Sequence, residues 1–171
     1  MRNNISCLYF FRSYLVMSGE KGRFVVHLNS KFLNCFFIIE KNFLFFVDYK
    51  RKVFKERLSS LIENGLKGVC YNFSKKLSLV GVGFRCWTVC EKDKKFLVVK
   101  TSLSRDCILF IPETVDVLCL NSATVFVTGV RKSDVNSFIL SIKRIKKPNF
   151  YKQKGIFLEN ETIKVKVGKK M

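Results

Sequence analysis

Six cations, Lys143, Arg144, Lys146, Lys147, Lys152 and Lys154, fall within twelve residues, with Tyr151 set among them. Ammonium and guanidinium groups neutralise phosphates, and an aromatic ring offers a face for a base or sugar. Pro148 ends any helix that carries the first four cations. Gly155 permits a sharp turn or the close approach of another backbone. A run of charge is usually a solvated face; here proline, tyrosine and glycine punctuate it, which points to a shaped surface. Further on, Lys164 and Lys166 alternate with Val165 and Val167, a period that puts both lysines on one side of an extended segment.

Other chemistries find less support. The single histidine, His27, lies mid-strand with no companion motif, no serine sits in a nucleophile elbow, and no pair of carboxylates stands out. No enzyme activity and no small-molecule substrate are therefore expected. Seven cysteines stand at 7, 35, 70, 86, 90, 107 and 119 without a CxxC pair. That spacing predicts no metal site and no cofactor. Their odd number and the lack of a convincing signal peptide argue against a disulfide framework, leaving them as small buried hydrophobes. Gly81-Val82-Gly83 lacks the third glycine, the following helix and the distant acid of a dinucleotide loop, so it reads as a strand with a bend, and Arg85 beside it as a partner contact. Ser102-Leu103-Ser104-Arg105-Asp106 reads as a turn in which Arg105 can reach a phosphate. Trp87 and most of the 18 phenylalanines lie in apolar runs and are expected in the core.

Across 171 residues the formal net charge is +19. Residues 1–66 contribute +6, residues 67–142 contribute +5, and residues 143–171 contribute +8, with ten basic and two acidic groups. A polyanion relieves such self-repulsion, nucleic acid being the first candidate and an anionic membrane surface the second. The N-terminal apolar stretch up to Met17 is shorter than the roughly 20 residues needed to span a bilayer. It has some targeting-peptide character, and a strand is the preferred reading. Hydrophobic residues at 48% allow a real core. Heavy use of Phe, Lys, Asn and Ile, with one alanine and two prolines, suggests an A/T-rich coding genome such as an organelle's.

The elements that must position these residues appear twice in one order. Strands are predicted at Gly22–Leu28, Cys35–Ile39 and Phe43–Val47, with a hairpin signal at Lys41-Asn42. A helix follows from Lys50 to Asn64 with Phe54, Leu58, Leu61 and Ile62 at helical spacing, and Gly65 as its stop. The second copy has a long strand or strand pair from Lys76 to Val89. Strands at Phe96–Val99, Cys107–Ile111, Val115–Leu120 and Thr124–Val130 follow. Its helix spans Ser133 to Lys147, capped by Ser133, with Val135, Phe138, Ile139 and Ile142 on one stripe. The expected class is α+β: two similar small domains, 1–66 and 67–171, each a mainly antiparallel sheet packed with one helix.

Three stretches together resemble the sixth large-subunit ribosomal protein family. They are Lys75 to Arg85; Gly129 to Lys147; and Tyr151-Lys152 with Lys154-Gly155-Ile156, then Glu161 and Gly168-Lys169-Lys170. They cover about residues 67–171 in the family's order and spacing. The first half resembles the family in layout, with Gly19-Glu20-Lys21-Gly22 at the expected turn. Two departures stand out: the family usually has a glycine where Gln153 stands and an acid where Arg131 stands. The resemblance implies two similar α+β domains and binding to large-subunit rRNA near the sarcin-ricin loop and stalk base, where translation factors dock. It implies neighbouring large-subunit ribosomal proteins as further partners, no membrane, and bracing of RNA in place of catalysis. The expected rRNA-binding residues are Lys143, Arg144, Lys146, Lys147, Tyr151, Lys152, Lys154, Lys164, Lys166, Lys169 and Lys170, with Arg85 and Arg105. The expected site of action is the mitochondrial matrix, with a plastid as the alternative; a peripheral membrane role is the rival reading.

Overall fold

The computed structural model describes residues 5–11, 14–27, 36–40, 43–47 and 52–168. The N-terminal stretch forms two strands where one was expected: β1 (Ile5–Phe11) and β2 (Tyr14–Gly19) pair antiparallel. Gly19-Glu20-Lys21-Gly22 then turns the chain into β3 (Gly22–His27), which pairs antiparallel with β2. A separate ribbon joins β4 (Phe36–Glu40) to β5 (Phe43–Val47). The hairpin signal Lys41-Asn42 and the residue Leu28 lie outside the described residues.

Helix α1 runs Lys52–Tyr71. Gly65 is therefore not its stop. A Cβ on Gly65 would lie 2.6 Å from Met17 Cε and 2.7 Å from Phe24 Cδ1, so the glycine lets the helix settle onto β2 and β3. Gly68, one turn on, packs its bare backbone against the carbonyl of Val130. The helix ends at Asn72, whose φ of 55° and N–H to Gly68 O (3.0 Å) make a left-handed C-terminal cap. Ile62 and Val69 are buried with Leu15, Met17 and Val26, whereas Leu61 faces solvent at 40% exposure, contrary to its expected place on the stripe. The side chains of Phe54 and Leu58 lie outside the described set. These elements form one compact unit, residues 1–73 with 130–132.

The second unit holds residues 74–129 and 133–171. The stretch from Lys76 to Val89 is a strand pair whose members belong to different sheets. β6 (Phe73–Val80) lies in a four-stranded sheet, and β7 (Arg85–Glu91) opens a three-stranded antiparallel sheet with β8 (Lys94–Lys100) and β9 (Cys107–Phe110). β10 (Val115–Asn121) and β11 (Thr124–Gly129) form a hairpin that joins β6. Main-chain bonds from Leu79 N to Ala123 O (2.8 Å) and Cys86 N to Ser122 O (2.7 Å) tie that hairpin's turn to both sheets.

Helix α2 (Lys132–Ile145) buries Val135, Phe138, Ile139 and Ile142, the stripe expected from spacing. Each such side chain contributes about 1.5–3 kcal/mol when fully buried. Ser133 is the helix's second residue and donates to Asp134 Oδ1 (3.0 Å), so it does not cap the helix. Strand β12 (Gly155–Leu158) pairs antiparallel with β6 and completes the sheet order β10-β11-β6-β12. Trp87 departs from its expected core position at 39% exposure. It shares a register row of the three-stranded sheet with Val98, which is buried, and Ile108, which is exposed. The class is thus α+β, with mostly antiparallel sheets and one helix in each unit. Among the described residues no helix is long and apolar enough to cross a membrane.

Candidate nucleic-acid interface

The basic end is held by the backbone that links α2 to β12. Beyond Ile145, Lys146 O accepts from Ile156 N (3.1 Å), and Asn149 N donates to Lys154 O (2.9 Å). Asn149 also turns the loop with its side chain, Oδ1 accepting from Tyr151 N (2.8 Å) and Lys152 N (3.3 Å). Gln153 stands at φ 52°, the left-handed region, at the place where the resemblance leads one to expect glycine. Gly155 has φ 147°, and a Cβ there would lie 2.6 Å from Pro148 Cα. Proline and glycine therefore meet backbone to backbone, and Ile156 next to them is fully buried. Main-chain bonds thus close the loop at Lys146–Ile156 and Asn149–Lys154, and the Asn149 side chain braces it from within.

Tyr151, Lys152 and Lys154 are exposed on this loop, and Arg144 and Lys147 are exposed beside it; Lys146 is half-buried. Lys143 has a different setting. Its ammonium group donates to both carboxylate oxygens of Glu161 (2.6 and 2.7 Å), and Glu161 Oε2 also accepts from Leu158 N (3.3 Å). The Lys143 hydrogen bond holds the Glu161 carboxyl below its ordinary range. Lys143 thus fastens residues 159–161 to α2.

Lys164 and Lys166 lie in an exposed extended segment, where Lys166 N donates to Phe150 O (3.1 Å) and Lys166 Nζ stands 5.9 Å over the Phe150 ring. Arg85 is exposed at the start of β7, in the three-stranded sheet, and Arg105 is exposed in the loop that leads into β9 of the same sheet. Lys169 and Lys170 lie outside the described residues. Sequence reasoning missed Asn149 and the Lys143–Glu161 pair. The first was signalled by an Asx residue directly after a helix-ending proline; the second has no local signal, since its partners are 18 residues apart.

Of the cysteines expected to be buried, Cys86 is buried, Cys70, Cys107 and Cys119 are half-buried, and Cys90 is exposed. Burial pushes the Cys86 thiol up to about 12, with Cys119 adding to the effect, and Cys119 is itself raised by burial. Such thiols stay protonated and unreactive at neutral pH. His27 is paired across the sheet with Tyr14, ring centroids 4.8 Å apart. Among the described residues, no three His, Cys, Asp or Glu side chains form a group able to hold a metal ion.

The chain is 33% identical over 159 residues to large ribosomal subunit protein uL6 of Borreliella afzelii, covering 91% of this chain and 84% of that protein. It belongs to the uL6 family of large ribosomal subunit proteins. The likeness therefore extends into the first half, where the sequence reading found only a shared layout. The uL6 protein of Levilactobacillus brevis is 33% identical over 108 residues, or 63% of this chain. The protein uL6m of Reclinomonas americana is 40% identical over 111 residues, or 65% of this chain. These last two alignments each span 58% of the relative's own length. No family model matches the chain. Membership in a family of ribosomal proteins agrees with the expectation that the chain is not an enzyme.

Proposed function

We propose that this chain is a structural constituent of the large ribosomal subunit that binds and braces large-subunit rRNA. The carrying observation is the backbone-closed loop from Lys146 to Ile156, which presents Tyr151, Lys152 and Lys154 beside Arg144 and Lys147. Fixed cations bind phosphates at a smaller entropic cost than mobile ones. The second domain and its extension do most of the binding, with Lys143 and Lys146 positioned near the loop and Arg85, Arg105, Lys164, Lys166, Lys169 and Lys170 adding contacts. Within the subunit, the place is the factor-binding region at the sarcin-ricin loop and stalk base, beside neighbouring ribosomal proteins and docking translation factors. The family resemblance is what supports that placement. Similarity to the Reclinomonas uL6m protein and the A/T-rich coding bias support a mitochondrial ribosome.

Two measurements test this. In a sucrose gradient of the source organelle the chain should co-sediment with large subunits; consistent absence from them overturns the reading. Binding of the purified chain to large-subunit rRNA should weaken with salt, with a log–log slope of about −4 to −5 for six phosphate contacts. A flat salt response would count equally against it.

A further inference from the structure

Beside the loop lies a cleft of about 690 Å³. Its apolar lining comes from Leu140, Pro148, Phe150 and Ile163. Leu140 and Phe150 are each 52% exposed, so these groups are not core side chains seen edge-on. Arg144, Lys147 and Lys164 line the same cleft, and Lys166 stands over the Phe150 ring. The one acid in the wall, Glu161, is neutralised by Lys143 and by the Leu158 N–H. The cleft is therefore an apolar, aromatic hollow in a positive field, with its negative charge already paired.

That combination selects its occupant. A purely apolar peptide segment would fill the hollow and leave three cations beside it without partners. A paired RNA helix would meet the cations, but its bases are stacked away from protein side chains. A single unstacked nucleotide satisfies both parts. Its base lies against Phe150, Leu140 and Ile163, and its own and flanking phosphates meet Arg144, Lys147 and Lys164. The volume falls within the ordinary range for small-ligand sites.

We infer that this cleft captures one extruded base of the bound RNA, so that the surface recognises a bulge or loop in addition to backbone charge. The inference rests on the rRNA-binding reading and adds a shape preference to it. The full chain is titrated against two RNA hairpins of equal length and charge, one fully paired and one with a single 2-aminopurine bulge. The bulged hairpin should bind about tenfold tighter, the scale of one base–aromatic stack. Phe150→Ala should abolish that preference while leaving affinity for the paired hairpin within twofold, and Phe150→Tyr should restore it. Leu140→Gln, a second variant at an exposed position, should reduce the preference without altering the melting temperature.

Equal binding of both hairpins, or a preference that survives Phe150→Ala, overturns base capture and leaves the rRNA-binding reading standing. Salt-insensitive or absent binding to both overturns the two together. Binding of anionic vesicles in place of either RNA, lost in Phe150→Ala, also overturns it by assigning the cleft to lipid.

Discussion

Two basic stretches of the second unit carry the same residue type in opposite settings. Lys152 and Lys154 sit on a loop whose backbone is tied at both ends, by Lys146 O to Ile156 N and by Asn149 N to Lys154 O. Lys164 and Lys166 sit on a segment outside the sheets, where Val167 beside them is 88% exposed and Lys166 N donates to Phe150 O. The charges are equal, but the loop has its shape before a partner arrives. Preorganisation, and not charge number, is the difference between them.

The comparison is broken most forcefully at Gly155. Gly155→Ala should cost about 3 kcal/mol of stability, because the new Cβ meets the Pro148 backbone at a φ disfavoured for alanine. A urea-unfolding midpoint equal to that of the parent would show that the loop is not held as described. Next, Lys152→Ala/Lys154→Ala and Lys164→Ala/Lys166→Ala each remove two cations and should each lower the salt slope by about two. At physiological salt the loop pair should lose more affinity, about tenfold against about threefold, because its lysines need less ordering on binding. Equal losses in filter-binding titrations would erase the distinction. The smallest effect is expected at Gln153. Gln153→Gly relieves a left-handed φ and should raise stability by about 0.5–1 kcal/mol with unchanged RNA affinity. A destabilised variant would mean that the glutamine side chain, and not the backbone, shapes that corner.

The sequence was most readable where one element carries its own period. The α2 stripe is the clearest case, since 3.6-residue spacing and burial share a cause. Gly65 shows the limit. A glycine near a helix end reads as a stop, yet a glycine also permits close approach, and its partners Met17 and Phe24 are more than forty residues away. Trp87 failed for a related reason: an apolar run announces a strand without telling which face will be covered. Within the site, Pro148, Tyr151 and Gly155 were legible as punctuation, and the family resemblance supplied their order. Asn149 and the Lys143–Glu161 pair were not, because a local capping bond and a long-range ion pair leave no periodic trace.

The strand order of the four-stranded sheet also imposes a schedule on the chain's making. β6 leaves the synthesising ribosome with no neighbour on either flank; β11 follows some forty residues later, and the Gly155 that faces Val80 comes 75 residues after it. A chain halted after Gly129 would lack α2 and would show β6 with a bare edge where β12 belongs. The corner that gathers the cations can therefore close only after β6, β11 and α2 have all been made, since Gly155 and Ile156 follow them in the chain.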